Sequence, residues 1–431
     1  MNKSAGPTNP NTSVGRTSFV LLLVIALLNT MGMTIIIPLV PFLTLQYLAH
    51  PTNLAAIVGW LTAVYGICQL IAAPGLGVLS DRFGRRPILF ICLLGSAFGY
   101  LIFGLGGALW LLFLGRIIDG LTGGNISVLF GYIADITEPE DRGKYFGMLG
   151  GVAGIGSLIG PTLGGLLATI NYRAPFLVAA SLLLLTLVCG YFLLPESLDK
   201  EHRITSISVS ELNPLKQLAS AFRWKNVRGL LLAWFLYALP VSMLQATLTV
   251  LMQGRLGFNA TQAGLVVTLV GAVDILVQGV LVGWFLTMLG NIRLGLIALV
   301  LVGISYLVLG SIAFLATPLL LFVGIILFAG SGSLVENALR GLISEMVGRH
   351  EQGRVSGATQ SLQSLGWVVG PLVGGFMYTA WGPFQAYASA TFSIVFAILC
   401  LWIVLPLPQR QKAKEQTPSE KEVPLLSSEE D

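Results

Sequence analysis

RGKYFGMLGGVAGIGSLIGPTLGG, residues 142–165, and QGRVSGATQSLQSLGWVVGPLVGG, residues 352–375, align without a gap. Gly143, Gly147, Gly156, Gly160, Pro161, Gly164 and Gly165 fall on Gly353, Gly357, Gly366, Gly370, Pro371, Gly374 and Gly375. The same offset sets Gly131 and Asp135 on Gly341 and Glu345. The chain therefore reads as two copies of one unit.

Each unit is a set of membrane helices. Of 431 residues 55% are hydrophobic and 10% charged, where a soluble domain carries about 25% charged residues. Crossing a bilayer takes about 20 apolar residues, and twelve segments reach that length. They lie roughly at 18–46, 54–79, 87–106, 108–133, 144–170 and 175–194, then at 229–252, 262–287, 293–315, 318–341, 354–379 and 384–405. The expectation is an all-α membrane protein of twelve transmembrane helices in two six-helix halves, 17–194 and 229–405. Residues 1–16 form an N-terminal tail with no cleavable signal, 195–228 a polar linker, and 406–431 a disordered tail.

Orientation follows the bias of basic residues, which collect on the cytoplasmic side. With the N-terminus inside, Arg82, Arg85, Arg86, Arg142, Lys144, Arg293, Arg349 and Arg354 join the basic residues of tails and linker on that side; the other side receives Arg173 and Arg255. Trp60, Trp110, Trp234, Trp284 and Trp381 fall near segment ends, as interfacial anchors do. The four cysteines stand singly in apolar runs and the three histidines in polar connectors, which indicates neither a disulfide framework nor a metal site.

Charge inside a span costs at least about 2.5 to 3.5 kcal/mol at the bilayer centre, so each instance is a candidate for function. Arg116 and Asp119 stand three apart in the fourth segment, Glu336 and Arg340 four apart in the tenth, and Asp274 in the eighth. Both spacings share a helix face. An acid beside an arginine in low dielectric can change protonation when water or substrate arrives, so the two pairs are proton-coupling candidates, with a permanent ion pair as the alternative; Asp274 joins them, with a structural hydrogen bond at the boundary between the halves as its alternative. Asn29, Asn125, Gln245 and Asn337 are the substrate-cavity candidates. In the fifth segment Gly156, Gly160, Gly164 and Gly165 provide the small-residue surface that lets membrane helices approach closely, and Pro161 removes a backbone bond.

GVLSDRFGRRP, 77–87, joins the second and third segments, and GRIIDGLTGG, 115–124, lies in the fourth. With GSLIGPTLGG, 156–165, these resemble the loop signature, the fourth-helix arginine motif and the fifth-helix Gly-Pro motif of the major facilitator superfamily. The run LLNTMG…PLVP and ALWLLFLGR most resemble its tetracycline-resistance type of proton-coupled efflux proteins. The resemblance implies that helices one, four, seven and ten line a central cavity, which would bring Arg116, Asp119 and Glu336 to face it. It also implies a cytoplasmic latch of Gly77, Asp81, Arg82, Gly84, Arg85, Arg86 and Arg142, with Asp81 set against the start of the eleventh helix near Gly353 and Gly357. Three departures stand out: Asn29, Gly99 and the stretch around Leu299 occupy places where tetracycline exporters carry acids. The second copy of the loop signature, GWFLTMLGNIRLG, keeps Gly283 and Gly290 without an acid.

Together these features read as a secondary transporter: a proton-coupled antiporter exporting a small amphipathic or hydrophobic compound by alternating access, with a metabolite importer as the alternative. It is expected to act as a monomer in the bacterial inner membrane with both termini cytoplasmic. No enzyme activity, metal, nucleic-acid partner or cofactor is expected, the proton gradient being the energy source. GGVAGIGSLIG lacks the Lys and Ser/Thr of a phosphate cradle.

Overall fold

The computed structural model describes residues 13–138, 140–199, 201, 203–204, 227–347 and 352–404. Most of the central linker and the tail from 406 lie outside these, as does the N-terminal tail up to residue 12. Residues 13–16, read as tail from sequence, already belong to the first helix.

Among the described residues every regular element is a helix. The N-terminal half contains α1 (Ser13–Ile36, extended by the short turns Ile37–Leu39 and Val40–Leu45), α2 (Leu54–Phe83), α3 (Arg85–Leu105), α4 in two pieces (Leu109–Leu121 and Asn125–Ile136), α5 (Arg142–Leu167) and α6 (Ala174–Leu193). In the C-terminal half, α7 is Arg228–Leu256, and α8 starts as Ala260–Leu276 and passes through a π turn, Val277–Leu281. The helix that follows, Val282–Ser311, breaks at Gly290, where φ is 67° and ψ 167°; its part 282–289 completes α8 and 291–311 is α9. α10 (Pro318–Glu345), α11 (Gln352–Trp381) and α12 (Pro383–Val404) follow.

Gly84 (φ 108°, ψ 153°) makes the same break between α2 and α3. Both positions need the positive φ that side chains resist. Trp60, Trp110, Trp284 and Trp381 lie exposed, as anchors should. Trp234 does not: it is 1% exposed, inside the C-terminal half beneath the guanidinium of Arg340, 5.3 Å from its ring. A cation over indole replaces an interfacial role there.

The repeated glycine segment is used twice over. One face packs within its own half: Gly156, Gly160 and Gly164 lie against α1, with Thr34 Oγ1 donating to the Gly156 carbonyl at 3.2 Å, and Gly366 lies against Ala238 of α7, with Ser242 Oγ donating to Gly366 at 2.7 Å. The adjacent face, Pro161 with Gly165 and Pro371 with Gly375, packs across the halves. A Cβ on Gly264 of α8 would collide with the Pro161 carbonyl and come 3.3 Å from Gly165, and one on Gly59 of α2 would meet Pro371 and Gly375 in the same way. Hydroxyls join these crossings: Thr261 Oγ1 donates to Gly165 (2.8 Å), Thr162 and Thr268 share a bond (2.7 Å), and Ala56 N–H donates to Thr379 Oγ1 (3.1 Å).

At the arginine-rich end the same helices stand apart. Gly75, Gly77, Gly143, Gly147, Gly150, Gly151, Gly279, Gly283 and Gly357 have nothing within 4 Å of where a Cβ would lie. The two halves therefore close at one end and splay at the other. A Gly264→Val substitution, which puts a branched side chain into the Pro161 contact, is expected to open the sealed end. The check is faster reaction of a cysteine placed at Leu158 with a water-soluble maleimide in purified protein; an unchanged rate would show that the seal does not need this contact.

Candidate functional site

α4 is discontinuous. After Leu121 the chain turns through Thr122, Gly123 and Gly124 and restarts at Asn125. A freed carbonyl inside a membrane must find another donor, and Gln69 of α2 supplies it, bonding the Gly123 carbonyl at 3.0 Å and Tyr65 at 3.1 Å. Just before the break, Arg116 and Asp119 approach to 3.7 Å. The guanidinium sits 5.2 Å from the Phe103 ring and 5.6 Å from that of Tyr65. Asp119 Oδ2 and Arg116 Nε have no hydrogen-bond partner.

Asp119 does not face the space between the halves. It is 3% exposed and enclosed by α2, α3 and α4; its Cβ is 3.0 Å from where one on Gly99 would lie, and the Gly115 carbonyl is 2.7 Å from that point. The missing side chain at Gly99 is what makes room for Asp119. Cavity-facing was the wrong expectation for this residue because the arginine motif turns its acid toward α3.

Asn29 and Asn125 are likewise turned inward. They are 6% and 7% exposed and bonded to each other, Asn125 Nδ2 to Asn29 Oδ1 at 2.6 Å. The pair ties α1 to the second piece of α4 instead of lining a cavity. Gln245 is the exposed residue in the otherwise buried run from Ser242 to Met252.

The C-terminal cluster is open. Glu336 and Arg340 pair at 3.7 Å with side chains 31% and 59% exposed, and Asn337 between them donates to Ser333 at 2.8 Å. Asp274 of α8 accepts from Ser333 Oγ of α10 and from Gln278 at 3.0 and 3.1 Å. Ser333 is one turn before Glu336, so the two acids stand on neighbouring helices at one level, and the π turn of α8 begins directly below Asp274.

Among the described residues the loop signature makes its contacts within its own half. Asp81 pairs with Arg85 of its own half at 2.6 Å, and Arg85 also bonds Ser80 (2.7 Å) and Asp135 (3.0 Å). Arg86 donates to the Tyr191 carbonyl at the end of α6, Arg142 donates to Ala134 (3.0 Å), Gly77 accepts from Ser80 (2.7 Å), and Arg82 lies exposed over Phe83. The splayed end fits this difference from the expected latch, since Gly77 of α2 and Gly357 of α11 both face open space. The decayed second copy keeps more than its sequence suggests: Asn291, which follows Gly290 as Arg85 follows Gly84, donates to Glu345 at 2.6 Å. Asp135, Asn291 and Glu345 were missed as functional residues, although the repeat already paired Asp135 with Glu345.

The pattern of the Major Facilitator Superfamily matches residues 22–371 and again 230–428. The chain belongs to this superfamily. The class C tetracycline resistance protein of Escherichia coli is 35% identical over 82% of this chain and 87% of its own length. The class B protein of the same organism is 31% identical over 92% and 98%. Multidrug resistance protein 2 of Bacillus subtilis is 29% identical over 84% and 89%. Among solved structures, the nucleoside transporter NupG superposes with a TM-score of 0.74 at 14% identity, covering 90% of this chain and 99% of that one, which shows the shared fold. As a member of the superfamily the chain is a multi-pass integral membrane protein that transports a small molecule.

Arg116 and Arg173 make the test of burial within this superfamily member. Arg116→Ala leaves Asp119 buried without its cation, at a cost of about 3–5 kcal/mol. Arg173, exposed beside Tyr47, should matter by no more than about 0.5 kcal/mol. Thermal unfolding of the two purified variants checks this; equal midpoints would contradict the enclosed geometry.

Proposed function

We propose that the protein is a proton-coupled exporter of small amphipathic or hydrophobic compounds, monomeric in a bacterial inner membrane with both termini cytoplasmic. The observation that carries this reading is the one-sided closure: the duplicated Gly-Pro segments seal one end while the arginine-rich end, cytoplasmic by the basic-residue bias, is open to take up cargo. The tetracycline and multidrug resistance relatives support export over import. No cofactor enters the mechanism; the proton gradient drives it.

On this reading cargo enters from the cytoplasm between the halves and meets Gln245, Glu336, Asn337 and Arg340. The halves then rock, breaking the Pro161–Gly264 and Pro371–Gly59 contacts and bringing Asp81 to the start of α11, where a helix N-terminus favours an anion. Protons returning inward are taken by the carboxylates. Asp274 and Glu336 are reached directly from the open space. Asp119 is reached through the break in α4, where its unpartnered oxygen awaits a proton or water.

Everted vesicles energised by respiration test the assignment. Wild-type protein should accumulate a fluorescent hydrophobic dye and release it on adding an uncoupler; accumulation unaffected by the uncoupler would exclude proton coupling. Glu336→Gln or Asp119→Asn should flatten the pH dependence of that accumulation while dye binding persists. An unchanged pH profile in both would remove them as coupling sites. Asp81→Asn should reduce turnover at least about tenfold, the effect of losing a charge-assisted bond worth about 1.5–3 kcal/mol, with normal membrane insertion; full turnover would refute the latch.

A further inference from the structure

The linker between the halves begins by folding back onto the gate. Glu196, just past α6, accepts N–H bonds from Arg85 (2.8 Å) and Arg86 (3.3 Å) in the first turn of α3, and from Ser197 (3.2 Å) and Leu198 (3.3 Å) in its own segment. Ser197 Oγ donates at 3.0 Å to Asp135 Oδ2, the same oxygen that receives Arg85 Nε. The N–H of Ile204 donates to the Asp81 carbonyl at 3.2 Å, and the Tyr132 hydroxyl donates to the Pro195 carbonyl. Arg203 lies 4.0 Å from Glu196 and bonds the Leu198 carbonyl at 3.3 Å. Gly84 leaves no space between the loop and this segment, since a Cβ there would strike Glu196 and come 2.9 Å from Arg203.

These contacts converge on one hub. Arg85 is shared between Asp81 and Asp135, and a guanidinium divides its donors according to how else each carboxylate is satisfied. Ser197 satisfies part of Asp135, Glu196 fixes the backbone of Arg85 by capping free N–H groups of α3, and Ile204 fixes the backbone of Asp81. The described residues at the start of the linker thus touch all three members of the hub.

We propose that the start of the linker, residues 195–199 with 203 and 204, is a strap that presets the Asp81–Arg85–Asp135 hub, with Glu196 as its positioning residue. The strap makes closure of the arginine-rich end easier. Asp81 must be presented to α11 at a defined place, and a loop already held there loses less freedom on docking. The proposal rests on the transport reading above, and it assigns a role in the cycle to a segment outside the membrane helices.

The test uses full-length protein with its native cysteines replaced and spin labels at Lys144→Cys and Gln352→Cys, exposed positions at the arginine-rich ends of α5 and α11. In wild type the distance distribution should hold a short, closed population alongside the long, open one. Glu196→Ala should reduce the ratio of closed to open about fivefold, the size of a lost helix cap, with turnover reduced in step and the KM for dye unchanged. Glu196→Gln, which keeps one acceptor oxygen, should restore part of both. Ser197→Ala, a milder change that leaves Glu196 in place, should shift the distribution in the same direction. If Glu196→Ala and Ser197→Ala leave the distribution unchanged in correctly inserted protein, the strap does not preset the gate and the proposal is overturned, even if dye export is confirmed. A shift without any dye export would instead support the strap and count against the export reading.

Discussion

The structure turns on the approach of helix backbones at the sealed end, Pro161 on Gly264 and Pro371 on Gly59. Between membrane helices there is no hydrophobic gain from association, because lipid tails are as apolar as leucine; contact rests on dispersion and on polar groups that find partners. Such a contact is favourable only when the backbones come close, and a single methyl group prevents it. It is strong enough to hold two halves together at one end and weak enough to be exchanged for another contact at the opposite end. A seal built from interlocked large side chains would not release so easily.

The two halves share this scaffold but divide the polar work. In both, a helix break at glycine, Gly84 or Gly290, is followed by a residue that bonds an acid on the fourth helix of its half, Arg85 to Asp135 and Asn291 to Glu345. The first half keeps charges there and adds Asp81, so it alone can supply a charged latch. Within the membrane the assignment reverses. The acid of the N-terminal half, Asp119, is enclosed, whereas Glu336 and Asp274 stand open to the space where cargo would lie. The helix spacing is unequal as well: Gly264 and Gly290 are one residue further apart than Gly59 and Gly84. The π turn Val277–Leu281 absorbs the extra residue, the usual origin of such turns near functional sites, and it does so directly after Asp274.

Much of this was legible in the sequence. The gapless match of 142–165 to 352–375 gave two units, and apolar lengths gave their helices, because bilayer thickness is a constraint each segment must meet alone. The pairing of Glu336 with Arg340 followed from spacing on one helix. Which way a helix turns its polar residues was not legible. Asn29 and Asn125 look like cavity residues until α1 and α4 are set side by side, and Asp119 looks exposed until the empty place at Gly99 is seen against it. Trp234 sits near a span end yet lies buried, since Arg340 reaches it from another helix. The contacts of Glu196 were hidden for the same reason: they join a linker to a loop more than a hundred residues earlier.

Rocking between a state closed at one end and a state closed at the other is the central claim. Double electron–electron resonance on two label pairs measures it directly: Lys144 with Gln352 at the arginine-rich end, and Thr52 with Gln385, both exposed, at the sealed end. Alternating access predicts that when acidification or added substrate shortens the first distance the second lengthens, with both populations present in one sample. Simultaneous lengthening of both, or a fixed second distance while the first changes, would contradict it.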